Sequence, residues 1–401
     1  MEKAFYFLYK STCLLMILSS MSAWFLWDIH IGLLYFFSIL IWILYYSSMR
    51  NKQEVHFRSY SLLAVSCLFF VDLVKAENII PIKTTLLCVV IIQFLSFPDY
   101  KRKEILKFCG MGFAIILLIS LVGFLLSWVI SIPSFGYLYY ENYVYENYLF
   151  FLKLASVLRS VRFTSVFLEP GHVGMICAFF LYAFNYEIKK WYVLVYLASL
   201  LCTLSLAGYL LLIIGFVLYC VNNKDSGIFK WVFLCILLFG GGYVVALSYN
   251  GGNNLVNSMI IERLEYDEEL GVAGNNRADD ATRSRFQSFI KSNDVWFGYP
   301  LDQYERLRNS DAIHGAGYMI YMFSSGIYGV TLVFLFYFIM ARKSNNKKYM
   351  LFMLLLYAIC FVQRAYPLWV AWLLPFICSM EIDKKRNKIA QGNIQYSPIQ
   401  A

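Results

Sequence analysis

The sequence predicts an all-α polytopic membrane protein of about twelve transmembrane helices, with two loops on the outer face, the larger of them partly helical. Three observations carry that expectation. The 401 residues are 60% apolar and only 15% charged, with a mean hydropathy of +0.60, whereas a soluble chain of this length forms domains with far more surface charge. Apolar runs of membrane-spanning length recur from Cys13 to Met380. Lys and Arg residues fall in every second connection between those runs, as the positive-inside rule requires.

The spans read as 11–27, 31–48, 58–74, 80–97, 106–130, 168–187, 191–205, 207–222, 229–248, 313–341, 348–363 and 366–380. The stretch 191–222 is too long for one untilted helix and splits at Ser205-Leu206-Ala207-Gly208. The last pair splits at Gln363-Arg364-Ala365-Tyr366-Pro367. The first span is followed at once by another, so it reads as a retained helix and not as a cleaved signal peptide. The organisation expected is helices one to five in 1–130, a first outer loop at 131–167, helices six to nine in 168–248, a large outer loop at 249–312, helices ten to twelve in 313–380, and a basic tail at 381–401.

Basic residues fix the orientation. Lys3 and Lys10 precede the first span, and Arg50, Lys52 and Arg58 follow the second. Lys101, Arg102, Lys103 and Lys107 follow the fourth, Lys189 and Lys190 the sixth, and Lys224 and Lys230 the eighth. Arg342, Lys343, Lys347 and Lys348 follow the tenth, and Lys384, Lys385 and Arg386 the last. Both termini are therefore expected in the cytoplasm. The same dispersal removes nucleic acid as a partner: the net charge of +9 is dealt out between apolar spans and forms no stripe or tail. The ten cysteines lie in or beside apolar spans with no CxxC pair, which argues against a disulfide framework or a zinc site. No metal and no cofactor is expected.

Chemistry is then expected in the two outer loops. The first carries Tyr-Glu-Asn-Tyr-Val-Tyr-Glu-Asn-Tyr at 140–148, read as an interfacial aromatic belt in preference to a sugar-stacking surface. Residues 162–168 alternate, as in a short extended segment. Pro170 suits the first turn of the next helix, which puts Glu169 at the N-cap. There it is either a dipole-neutralising carboxylate, or a general base, or a carboxylate that orients an arginine, with Arg162 as an obvious local partner.

The second loop carries Glu262, Arg263, Glu265, Asp267, Glu268 and Glu269, a Gly/Asn stretch, and then Arg277, Asp279, Asp280, Arg283 and Arg285. Phe286, Phe289 and Ile290 share a face at helical spacing, with Asp279 or Asp280 as N-cap. Three arginines in the nine residues 277–285 fit either a solvated ion-pair surface or an anion site, because the guanidinium is a planar, permanently charged fork. Val295-Trp296-Phe297-Gly298-Tyr299-Pro300 is turn-rich. His314, at the start of the next span, is either structural or an acid–base group. Arg364, at the turn between the last two spans, is placed to join an anion site. Asp72, Lys75 and Lys83 are expected near the outer face, where they pair or snorkel.

Taken together these residues carry a resemblance. Arg162-Phe163-Thr164-Ser165-Val166-Phe167-Leu168-Glu169-Pro170 resembles the R-[FY]-x-G-x-F-x-E-P segment of O-antigen and capsule polymerases of the Wzy type, with Ser165 where Gly is common. Arg283-Ser284-Arg285-Phe286, followed fifteen positions after Arg283 by Gly298-Tyr299-Pro300, is similar to their large-loop pattern. His314-Gly315-Ala316-Gly317-Tyr318 with Gly326-Ile327-Tyr328-Gly329 is similar to the H-N-x-x-L…G-x-x-G segment shared with O-antigen ligases, Gly315 replacing the Asn. Leu204-Ser205-Leu206-Ala207-Gly208 resembles the L-T-x-S-R-G helix without its arginine.

The resemblance implies a metal-independent glycosyltransferase of the bacterial cytoplasmic membrane. Its substrate would be an oligosaccharide repeat unit on undecaprenyl pyrophosphate, and its partners membrane lipid, a chain-length regulator and a flippase. Arg283, Arg285 and Arg277, with Arg162 and Arg364 behind them, would then bind the pyrophosphate. His314, with Glu169 in competition, would be the base. A ligase that moves finished glycan to a lipid A core, and a lipid-linked glycan flippase, are the alternatives.

Overall fold

The computed structural model describes residues 1–49, 57–73, 82–140, 143–155, 161–223, 244, 247–252, 254, 257, 266–267, 271–272, 280–310, 313 and 315–382. They are mostly helical. The helices are α1 (Glu2–Ser20), α2 (Ile31–Ser48), α3 (Ser59–Leu73), α4 (Ile82–Ser96), α5 (Asp99–Leu126), α6 (Pro170–Ala183), α7 (Trp191–Cys202), α8 (Leu206–Asn223), α9 (Asp280–Ile290), α10 (Leu301–Asn309), α11 (Gly317–Lys343), α12 (Lys347–Gln363) and α13 (Val370–Cys378). Four of them, α2, α5, α8 and α11, are long and apolar enough to cross a membrane; α3, α4, α6 and α7 are apolar but shorter. Most of the span expected at 229–248 lies outside the described residues.

The first boundary differs from the sequence reading for a visible reason. The first helix covers 2–20 and not 11–27. It stops at Ser22, whose φ is +56°, and the apolar residues that follow form a 3-10 turn, Trp24–Leu26. That turn buries Leu26 and leaves Phe25 exposed, and Trp24 N–H fastens it to the first loop by donating to the Val166 carbonyl at 3.1 Å. The long stretch 191–222 is two helices as expected. The break falls at Leu204, φ +47°, and the Ser205 hydroxyl caps α8 by accepting from Gly208 N–H at 3.3 Å.

The first loop is not a simple aromatic belt. It folds as an antiparallel sheet of β1 (Tyr137–Tyr140), β2 (Tyr143–Asn147) and β3 (Leu152–Leu154), in the order β1-β2-β3. Tyr137 pairs with Glu146, and Glu146 with Lys153 on the other side, an opposite-charge cross-strand pair. The strongly β-forming Tyr and Val residues account for the sheet. Nor is 162–168 an alternating strand. Phe163, Thr164, Ser165, Val166 and Phe167 are all buried, in turns, with Ser165 at φ +55°. They form a plug with both sides covered. Leu152 N–H reaches the Ser165 carbonyl at 2.8 Å, Thr164 Oγ1 the Leu152 carbonyl at 2.7 Å, and Phe163 N–H the Cys202 carbonyl at 3.0 Å.

At the other end of the bundle, α5 starts with Asp99, whose carboxylate is paired with Arg102; both side chains are buried. Asp99 Oδ2 also accepts from Ile382 N–H at 2.9 Å, and Arg102 Nη2 donates to the Met380 carbonyl at 3.2 Å. This network ties the end of α13 to the first turn of α5. Each charge is neutralised and makes a further backbone hydrogen bond, while Arg102 Nε and Nη1 are buried with no hydrogen-bond partner among the described residues, so the pair still carries a desolvation cost.

α11 is broken in its first half. Gly326 has φ +59° and ψ −170°, a conformation only glycine adopts readily. The break frees the Phe323 carbonyl and the Tyr328 N–H. The segment before α10 satisfies both: Tyr299 N–H donates to Phe323 O at 2.8 Å and Tyr328 N–H to Trp296 O at 2.9 Å. A Cβ on Gly298 would lie 2.6 Å from Ser324 C, and one on Gly326 2.4 Å from Trp296 C. Glycine at both positions is what lets the two backbones meet.

Candidate functional site

The site is built where α6 begins, α12 ends and α11 begins. Pro170 is the first residue of α6 and Glu169 its N-cap, but the Glu169 side chain makes no capping bond. It is aimed sideways at Arg364, the residue that ends α12, and the two form an ion pair through Arg364 Nη2 and Glu169 Oε2. Each charge sits at the helix terminus whose dipole favours it, the carboxylate at an N-terminus and the guanidinium at a C-terminus. Arg364 is only 11% exposed while Glu169 is 47% exposed, so the pair is open to solvent from the carboxylate side.

Glycines shape the seat of Arg364. A Cβ on Gly171 would lie 2.8 Å from Arg364 Nη2, and one on Gly317 only 2.1 Å from the Arg364 carbonyl carbon. The turn between α7 and α8 closes the third side. Gly174 lies against it, with a notional Cβ 2.9 Å from Thr203 Oγ1 and 3.1 Å from Ser205 Cβ. Arg162 donates from Nε to the Thr203 carbonyl at 3.0 Å, which places it on this same turn. The sheet anchors the approach to Glu169, with Tyr145 OH donating to the Leu168 carbonyl at 3.2 Å.

An aromatic wall stands beside the pair. Tyr366 stacks on Trp369 at 4.6 Å, Trp369 stacks on Trp372 at 5.3 Å, and the His172 ring meets Trp369 edge-on at 4.7 Å. The chain from 364 to 369 folds back into the bundle, because the Pro367 carbonyl accepts from Tyr337 OH at 2.8 Å and Tyr357 OH at 3.1 Å. His172 and Tyr366 carried no role in the sequence reading. The signal that could have found His172 is its position three residues after Glu169, the same face of a helix start.

Arg283 and Arg285 lie on a separate element. Their helix, α9, rests on α11 through Phe286 and Phe289, which pack on Phe323 at 5.5 and 5.1 Å. Ile290, expected on the same face, is exposed instead: the aromatic cluster of Tyr299, Tyr318 and Phe323 is filled by the two Phe rings. Arg283 faces Asp280 at 3.8 Å. Arg285 lies near Tyr299. The link between the two arginine groups is the first turn of α11, where Gly317 abuts Arg364 and the next residue, Tyr318, meets the Phe286 ring at 5.7 Å.

Arg277 and His314, and the side chains of 262–269, Asp72 and Lys75, lie outside the described residues; Lys83 is exposed in the first turn of α4. Among the described residues, no three His, Cys, Asp or Glu side chains come together as metal ligands would. What the arrangement presents chemically is a mostly buried guanidinium paired with a partly exposed carboxylate, at a surface with an aromatic wall. No protein-family model, curated protein or solved structure matches the chain.

Proposed function

We propose that this chain is a membrane glycosyltransferase that polymerises undecaprenyl-pyrophosphate-linked oligosaccharide repeat units into O-antigen or capsular polysaccharide. In this reading it crosses the bacterial cytoplasmic membrane about twelve times, with both termini inside and the sheet, α9 and the Glu169–Arg364 site outside. The observation that carries the reading is the ion pair of Arg364 with Glu169, which joins the motif-bearing start of α6 to the turn that ends α12.

In the reaction a sugar hydroxyl of one unit attacks the anomeric carbon of another, and undecaprenyl pyrophosphate leaves. Charge grows on the leaving pyrophosphate, so preorganised cations stabilise the transition state more than the ground state. Arg364 and Arg162 at the bundle end, and Arg283, Arg285 and Arg277 from the large loop, are the groups assigned to it. Glu169, held by Arg364, orients that guanidinium and offers its exposed oxygen to the acceptor hydroxyl. His314, three residues before Gly317, is the base. The face of Tyr366, 44% exposed, is where a sugar ring would stack.

The test is a deletion strain complemented with variants, its surface glycan resolved on a gel. Loss of a polymerase leaves single capped units, whereas loss of a ligase leaves none. Accumulation of lipid-linked substrate in the inner leaflet would instead identify a flippase. Arg364→Ala, Arg283→Ala and Arg285→Ala are each expected to leave single units while the protein still inserts. Full-length polymer from all three variants would overturn the assignment.

A further inference from the structure

We infer that residues 293–300 are a re-entrant element that rests in the bilayer itself, with Trp296 and Phe297 inserted among lipid at the acyl-chain-to-headgroup boundary. The large loop would then be held down on the membrane and not projected into water.

Four observations converge on this. The segment is fixed to α11 at Phe323 and Tyr328 and not at the helix start, through the two backbone hydrogen bonds made by Tyr299 and Trp296. α11 is among the helices able to cross a membrane, and Arg342 and Lys343 lie in its last turn. From Lys343 to Tyr328 is fifteen residues, about 22 Å of helix against a hydrocarbon thickness of about 30 Å. The attachment point is therefore at bilayer level, about 8 Å inside the outer edge of the hydrocarbon, within side-chain reach of the interface where Trp rings prefer to sit.

Second, the side chains at that point are apolar and uncovered: Trp296 is 58% and Phe297 53% exposed. Third, they continue a surface already suited to lipid. Phe297 packs against Tyr328 at 5.4 Å, and Ile327, Leu335 and Phe338 of α11 are exposed in turn. Fourth, irregular backbone is admissible at membrane depth only where its polar groups are bonded within the protein. Here Gly298 N–H donates to Asp294 O at 2.7 Å and Tyr299 N–H to Phe323 O at 2.8 Å, while Trp296 O accepts from Tyr328 N–H. Lys291, exposed at the end of α9, is placed to meet lipid phosphate. The inference depends on α11 crossing a bilayer and not on which reaction the protein performs.

The experiment uses the full chain in nanodiscs of phosphatidylethanolamine and phosphatidylglycerol. Phe297→Cys is labelled with an environment-sensitive fluorophore, Trp296→Cys provides a second position, Glu305→Cys on α10 is the exposed reference, and the unsubstituted protein gives the background from native cysteines. Labels at 297 and 296 are expected to be quenched by lipids spin-labelled near the headgroup. Their iodide quenching should fall about threefold below that at 305, as for a boundary-buried group. Iodide quenching equal to that at 305 with no lipid quenching at either position would overturn the proposal. So would stronger quenching by lipids labelled deep in the acyl chain than by those labelled near the headgroup.

Discussion

Arg364 grips Glu169 across 195 residues of sequence, and it does so from the C-terminus of one helix to the N-terminus of another. Neither residue's local sequence requires the other. Replacing Glu169 with Gln keeps the shape and removes the charge. Hydrogen bonds to charged groups contribute about 1.5–3 kcal/mol, so Glu169→Gln is expected to lower stability by about 1–2 kcal/mol, less than a fully buried pair would. Arg364→Lys keeps the charge and loses the planar fork. A double-mutant cycle in thermal unfolding, compared with glycan output, separates the pair's structural coupling from its role in the reaction. Additive effects would show that the pair is not coupled.

The two glycines around Arg364 are expected to respond differently to alanine. The Cβ of Gly171→Ala would meet the far end of a flexible guanidinium at 2.8 Å, which can swing aside. That variant should fold and insert normally yet lose glycan output, because the cation is displaced. The Cβ of Gly317→Ala would meet Arg364 backbone at 2.1 Å, which cannot move without parting α11 from α12. Its yield of folded protein in detergent should drop sharply. Size-exclusion profiles of the two proteins check the contrast.

The buried pair at the opposite end of the bundle makes a stability test away from the site. Arg102→Ala leaves the Asp99 carboxylate without its cation, and uncompensated buried charge costs about 3–5 kcal/mol. The double variant Asp99→Ala/Arg102→Ala should recover part of that loss. Unfolding midpoints measured at one detergent concentration decide it.

The three-stranded sheet should respond to alkaline pH with opposed signs. Burial, and then the hydrogen bond to Glu146, push the Tyr148 phenol up to about 12; its OH donates to Glu146 Oε2 at 2.8 Å. A raised folded value means stability is full below pH 10 and is lost as pH rises through about 12. Burial lowers the Lys153 ammonium below its usual value, with Glu146 opposing. A lowered folded value means that its contribution grows as pH climbs towards 10.5. Tyr148→Phe should therefore flatten the decline between pH 10 and 12. An unchanged alkaline profile in that variant would show that the phenol does not govern it.

Much of the helical pattern was legible because apolar runs and breaks are local properties. The split of 191–222 at 205–208 follows from an apolar run too long for one helix, and the start of α6 at Pro170 from the preference of proline for a first helical turn. The sheet at 137–154 was missed because its Tyr-rich strands read equally well as an interfacial belt. The plug at 163–167 was misread as alternating because a segment covered on all sides has no exposed face to reveal its period. The break in α11 was invisible for a related reason: a glycine within a long apolar run is tolerated by a straight helix too. Only the arrival of Trp296 and Tyr299 to bond the freed groups makes the break stable.

The sequence by itself determined that the chain is helical and apolar, which segments cap or break, and which residues carry charge outside the apolar runs, since each depends on neighbours within a few positions. The tertiary structure alone decided that Glu169 meets Arg364, that Arg162 is held on the Thr203 carbonyl, and that Gly298 and Gly326 let two backbones touch. Those contacts join residues tens to hundreds of positions apart, and they are set by how the helices pack, a property that no local stretch of chain encodes.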